Sequence, residues 1–274
     1  MIILTNDDGL SAEGIAALFG ELRTLGCGDI LVAVPETQHS AMSHAMTLDR
    51  PLVARRSVLP KFGAGDASSR TAVWVVCGTP ADCVKLACTT LARPNQPQFL
   101  ISGINHGSNV GTGILYSGTV AAALEGAINR VPSVAISLSD GDRISFSEAA
   151  RVISPVLVDA LQHKLPPWTI LNINVPNLSA EQIRGFRVVP MGRSRWVERY
   201  QELDHREDGT QVFRLTGSFV IEGHDDAWAL AQGWITVSML GLTLSSVDGS
   251  EFLNGWTSLR RGGSSSSKVA IGRA

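Results

Sequence analysis

Two rhythms of apolar and polar positions run along the chain. Short, largely apolar runs rich in β-branched residues occur at 1–4, 30–34, 73–77, 99–102, 134–138 and 170–175, as expected for strands buried on both faces of a parallel sheet. Between the first two, Ile15, Leu18, Phe19 and Leu22 fall at the i, i+3, i+4, i+7 spacing of one helix face, and Gly26 is placed to end that helix. Pro80 at a first helical position, then Val84, Ala87 and Leu91 on one face, predicts a second helix; 119–128 and 148–161 predict two more. This alternation describes an α/β fold with a doubly wound, mostly parallel, Rossmann-like sheet. Ligands of such sheets sit outside the carboxyl ends of the strands, so chemistry is expected in the loops after Leu4, Val34, Cys77 and Ser102.

From about Gly185 the rhythm shortens to alternating segments at 186–189, 211–215 and 234–240, separated by polar turns. The expected organisation is an α/β catalytic core over 1–184, a β-rich extension over 185–261, and a flexible tail over 262–274 that opens with Gly262-Gly263 and four serines. No internal repeat is visible. Lys and Arg total 23 against 25 Asp and Glu, a net charge of -2, so no basic field is available to hold a nucleic-acid duplex. The N-terminus passes directly from Met1-Ile2-Ile3-Leu4 to polar Thr5-Asn6, and no later stretch is apolar enough to span a bilayer. Cys27, Cys77, Cys83 and Cys88 form no Cys-x-x-Cys pair and have no His partner at zinc spacing, which argues against a disulfide framework or a zinc site. A cytoplasmic protein without a membrane partner is expected.

Asn6-Asp7-Asp8-Gly9 follows the first strand, where adjacent carboxylates repel each other unless a cation relieves them. Hard oxygen donors favour magnesium or manganese, whereas the bland reading is a helix-capping Asp beside a solvated one. The loop after the second strand, Pro35 to Leu48, is dense in hydroxyls; Ser40 could complete a metal shell, meet a phosphate, or cap local backbone. His39 and His44 are poorly spaced for a shared metal, so surface or substrate-contact roles suit them better, and Ser43 and His44 are carried as substrate-contact candidates. The third loop, Ser102 to Gly113, leads into Tyr116-Ser117-Gly118-Thr119 at the start of a helix, where free N–H groups can receive a phosphate without lysine. It is not a Walker A loop, since no Gly-Lys-Ser/Thr follows. Gly78-Thr79-Pro80-Ala81-Asp82 reads as a capped helix start and is assigned to architecture.

Together these segments resemble the SurE family of survival-protein nucleotidases. The resemblance rests on Thr5-Asn6-Asp7-Asp8-Gly9, the loop from Ser40 to Thr47 with Leu48-Asp49-Arg50-Pro51-Leu52, Gly78-Thr79-Pro80-Ala81-Asp82-Cys83-Val84, Ser102-Gly103-Ile104-Asn105, and Tyr116-Ser117-Gly118-Thr119-Val120 with Glu125-Gly126. It is dense over the first half of the chain and thins out toward Leu240, where Asp225-Asp226 and Trp234 to Val237 resemble the closing segment of the family. The resemblance implies one divalent cation per subunit, Mg2+ or Mn2+, on Asp7, Asp8, Ser40 and Asn105; Asp7 and Asp8 are carried as the catalytic candidates, either of which could orient or deprotonate the attacking water. It further implies phosphate binding by Asn105, Ser117, Gly118 and Thr119, hydrolysis of nucleoside 5′-monophosphates, and 3′-nucleotide or short-polyphosphate activity in some members. Family members are dimers or tetramers joined through C-terminal elements, so oligomerisation is expected of the extension. The second loop departs from the family, which carries Arg-Ser-Gly and a nearby Asn where this chain has His39-Ser40-Ala41 and His44. Two rivals are weaker on the residues: a haloacid-dehalogenase-like phosphatase wants Asp-x-Asp, and a non-catalytic magnesium-binding regulator has no use for the loop from Asn105 to Thr119.

Overall fold

Each apolar run of the first half becomes a strand of one nine-stranded sheet in the computed structural model, which describes residues 1–59, 71–206 and 208–243. In chain order the elements begin with β1 (Ile2–Thr5), α1 (Glu13–Thr24), β2 (Ile30–Pro35), β3 (Ala54–Ser57), β4 (Thr71–Val76) and α2 (Pro80–Leu86), which runs into a π-helical turn at Ala87–Leu91. There follow β5 (Phe99–His106), a 3₁₀ turn at Gly111–Tyr116, α3 (Gly118–Ile128), β6 (Ser133–Leu138), α4 (Phe146–Val152), α5 (Ser154–Gln162) and β7 (Thr169–Val175). The last third adds β8 (Phe186–Val188), β9 (Arg195–His205), β10 (Gln211–Val220), α6 (Asp226–Ala231) and β11 (Ile235–Gly241).

The sheet order is β3-β4-β2-β1-β5-β6-β7-β11-β8. From β4 to β7 all pairings are parallel, and β3 and β11 add antiparallel strands on either side. The core lies between the sheet and its helices, with Leu4, Ile15, Leu18, Val32, Ile101, Ile136 and Ile173 fully buried. Winding reverses between β1 and β5: β2 and β4 lie to one side, β6 and β7 to the other. That junction is the switch point at which loops diverge and leave a crevice. No helix among the described residues is long and apolar enough to cross a membrane.

Two expectations change, and two strands appear that the sequence pattern did not announce. The helix expected over 148–161 is two helices meeting at Ile153, because Pro155 has no N–H to continue α4 and instead occupies the first turn of α5. β3, with its polar sequence Ala-Arg-Arg-Ser, and β9, exposed along its whole length, carry no apolar period to announce them. The main sheet also crosses the expected boundary at 184/185: β8 and β11 belong to it, and Met1–Gly241 form one compact unit. Among the described residues, only β9 and β10 pair apart, as an antiparallel ribbon. The expected tail at 262–274 lies outside the described residues.

Candidate functional site

β1 and β5 are neighbours in register, Thr5 beside Ser102, so the residues just beyond them emerge at the switch point. Asn6 closes the first loop into a tight turn: its Nδ2 donates to Gly9 O at 2.9 Å and its Oδ1 accepts from Gly9 N at 3.1 Å. Asp7 is thereby held inward, 5% exposed. Thr119 Oγ1 donates to Asp7 Oδ1 at 2.6 Å, and the Thr119 backbone also bonds this carboxylate. Gly118 makes the approach possible, because a Cβ there would stand 2.9 Å from Asp7 Oδ2. Burial pushes the Asp7 carboxyl up to about 6; the Thr119 hydroxyl pulls it down, and the adjacent Asp8 charge pushes it up again.

Asp8 is half-buried and joined to the second loop by Gln38, whose Nε2 donates to Asp8 Oδ1 at 3.0 Å and to Ser40 Oγ at 3.1 Å. Burial raises Asp8 above its usual range, against hydrogen bonds from the His106 backbone and Gln38. Asn105 Nδ2 donates to Gly107 O at 2.6 Å, which leaves its carbonyl oxygen as the free end of the amide. Asp7, Ser40, Asn105 and Ser117 line a single cavity of about 470 Å³. Two adjacent carboxylates with a hydroxyl and an amide oxygen make an all-oxygen donor set that suits a hard divalent cation. A positive charge would also offset the burial of Asp7. Among the described residues no three His, Cys, Asp or Glu side chains converge, so an ion here must draw on the neutral oxygens as well.

At the start of α3, Ser117 Oγ caps the helix by accepting from Val120 N at 3.1 Å, and Ser117 N donates to Ile114 O. With Thr119 turned to Asp7, the Gly118 amide is the group of the Ser117-Gly118-Thr119 turn not spent on the cap or on the carboxylate, while Asn105, the fourth expected phosphate contact, lies on β5. The second loop is fastened at two further points. Asp82 accepts from Thr47 Oγ1 at 2.7 Å and from Thr79 N at 2.9 Å, while Thr79 Oγ1 donates to Ala45 O at 2.7 Å. Buried Glu125 of α3 meets His44 Nε2 at 2.9 Å and Lys85 Nζ at 2.7 Å. Burial alone would raise Glu125, but these two partners hold its carboxyl below the usual range.

Of the expected substrate contacts, Ser43 Oγ donates to Leu115 O at 2.9 Å, and His44 Nε2 is the partner of Glu125. Ala41 adopts a φ of 57°, in the left-handed region that favours glycine.

The loop after β5 is anchored by Asn172 and Asn174, which carried no signal in the sequence, and by Asp226, which the sequence offered only as part of a closing segment. Asn109 N donates to Asn174 Oδ1 at 2.7 Å, and its carbonyl accepts from Asn172 and Asn174 of β7. Asp226, fully buried at the start of α6, accepts from Gly111 N, Gly192 N and Ala227 N at 2.9–3.2 Å. Asp226→Ala would leave three N–H groups without this acceptor, those of Gly111 and Ala227 buried and that of Gly192 half-buried. A loss of about 3 kcal/mol or more is expected in urea denaturation, since each orphaned donor costs about 1–3 kcal/mol. A loss under about 1 kcal/mol would mean that water takes over these contacts.

Comparison with known proteins gives one consistent relationship. A family model described as "Survival protein SurE" matches residues 2–198. A protein of Chlorobium phaeobacteroides described as 5′-nucleotidase SurE is 38% identical over 258 residues, covering 93% of this chain and 95% of its own. The 5′-nucleotidase SurE of Flavobacterium johnsoniae is 36% identical over 262 residues, covering 93% and 96%. The crystal structure of the SurE protein from Aquifex aeolicus superposes with a TM-score of 0.77 at 32% identity, covering 92% of this chain and 99% of that one.

Proposed function

Because the chain belongs to the SurE family, we propose that it is a 5′-nucleotidase, a metal-dependent phosphomonoesterase that releases phosphate from nucleoside 5′-monophosphates. The observation that carries this reading is Asp7, buried and raised to about 6 beside a second carboxylate, set against the N-terminus of α3. Asp7, Asp8, Ser40 and Asn105 would hold one Mg2+ or Mn2+ per subunit. When bound, that ion supplies the positive charge that polarises the phosphorus and neutralises phosphate oxygens. The Gly118 amide and the α3 dipole then stabilise charge on the remaining oxygens. An incoming water needs an acceptor for its proton, and the cavity and its rim offer Asp7 and Asp8. The P–O bond to the 5′-oxygen breaks, the water oxygen stays on phosphorus, and the departing oxygen takes a proton.

Recognition centred on the phosphate extends the proposal to 3′-nucleotides and short polyphosphate. The four cysteines, none in a disulfide, support a reducing cytoplasmic setting. A homodimer or homotetramer is supported by Tyr200, Leu203 and Phe213, large apolar side chains exposed on the ribbon. The reading is tested by incubating the purified protein with AMP, GMP, CMP, UMP, 3′-AMP and tripolyphosphate in manganese, magnesium or EDTA and measuring phosphate. Release from the 5′-monophosphates that needs a metal is expected. Release from the polyphosphate alone would remove nucleotides as the substrate class.

A further inference from the structure

The ribbon of β9 and β10 forms the far wall of the same cavity. Trp196, Glu198 and Leu215 line it together with Asp7, Asn105 and Ser117. A side cavity of about 230 Å³, lined by Trp196, Glu198, Leu215, Thr216 and Gly217, adjoins it through the three shared residues. Side chains alternate faces along a strand, so Trp196, Glu198 and Tyr200 share one face of β9, opposite Phe219, Gly217 and Leu215 of β10. The Trp196 ring is held edge-on by Phe219, with centroids 5.9 Å apart and planes at 69°. Opposite Glu198 stands Gly217, where a Cβ would lie 2.6 Å from Val197 O. The missing side chain leaves the notch open beside the carboxylate. Among the described residues, Glu198 has no hydrogen-bond or ion-pair partner.

An indole face, a leucine and one unspent carboxylate match a flat ring that bears hydrogen-bond donors on its edge. Resting on the nucleotidase reading above, we propose that Trp196, Glu198 and Leu215 form the nucleobase subsite, and that Glu198 is the specificity-determining residue, favouring bases with donors at the Watson–Crick edge. A carboxylate only accepts. Guanine offers N1–H and N2–H side by side, adenine and cytosine each offer an amino group beside a ring acceptor, and uracil offers one N–H between two carbonyls. The expected order is therefore GMP first and UMP last, with Trp196 binding all four by stacking.

The test measures kcat and KM for the four 5′-monophosphates with manganese in the unaltered protein, Glu198→Gln and Trp196→Ala. Ribose 5-phosphate is run beside them to report the phosphate end alone. Expected is a GMP to UMP ratio in kcat/KM of about tenfold or more, as one charge-assisted hydrogen bond allows. In Glu198→Gln this ratio falls to within about threefold, because an amide both donates and accepts. Trp196→Ala raises KM for all four nucleotides about tenfold, the loss of one stacking partner. A ratio near one in the unaltered protein, or a Glu198→Gln loss shared equally by ribose 5-phosphate, overturns the assignment while leaving the nucleotidase standing. No release from any nucleotide with any metal overturns the proposed function, and this subsite with it.

Discussion

Asp7→Asn is expected to lower phosphate release by about a thousandfold or more, and yet to stabilise the metal-free protein. The activity loss follows from removing one of two carboxylates that hold the ion, whose charge contributes several kcal/mol to transition-state stabilisation. The gain in stability follows from the direction of the Asp7 shift. Folding raises this carboxyl from 3.8 to about 6, so the folded state disfavours its ionised form. The penalty is absent below the unfolded value, grows as pH rises between the two values, and is full above about 6. Asparagine is never charged and escapes it. In EDTA, the difference in unfolding free energy between Asp7→Asn and the unaltered protein should be near zero at pH 3.5 and rise to at most about 3 kcal/mol at pH 8. Manganese should then reverse the order at pH 8, since it binds the native carboxylates. A mutant less stable than the unaltered protein at pH 8 in EDTA would show that the Thr119 contact, not burial, dominates the balance.

Gly118→Ala carries the second large effect, and it replaces no charged group. Its added Cβ would stand 2.9 Å from Asp7 Oδ2 and 3.0 Å from Asp7 Cβ, so the carboxylate must move or the start of α3 must recede. Alanine is otherwise welcome in a helix, so the fold should be retained. Misplacing a catalytic group by about 1 Å costs on the order of a hundredfold in rate. A fall of about that size in kcat, with weaker manganese binding and an unchanged circular dichroism spectrum, is expected. Activity within about threefold of normal would mean that the helix start adjusts freely, and that Asp7 needs no fixed position.

How much of this could be read from the chain depends on how local the cause is. The strands from β1 to β7, β3 excepted, are apolar runs, and a run needs no distant partner to be recognised. Asp7 and Asn105 were legible as candidates because Asp7 follows β1 and Asn105 lies near the carboxyl end of β5, on either side of the switch point. Gln38 was not: nothing in a hydroxyl-rich loop marks the one amide that reaches both Asp8 and Ser40. Asp226 entered the sequence reading only as part of a closing segment, and its grip on Gly111, 115 positions away, exists only in three dimensions. Ser43 and His44 were carried as substrate contacts, and their bonds to Leu115 and Glu125 were not legible in the sequence because both partners lie far along the chain. β9 escaped notice because a ribbon exposed on both faces has no reason to alternate apolar and polar residues. The wall it adds to the cavity was therefore invisible as well.

The most direct test of the proposed metal site is a manganese titration of EDTA-stripped protein, following bound ion and phosphate release from GMP in the same samples, with Asp8→Asn alongside. One manganese per chain is expected, with turnover rising in proportion to occupancy and both signals lost in the mutant. Full turnover in the stripped protein, or manganese bound equally well by Asp8→Asn, would contradict a catalytic ion held at Asp7 and Asp8.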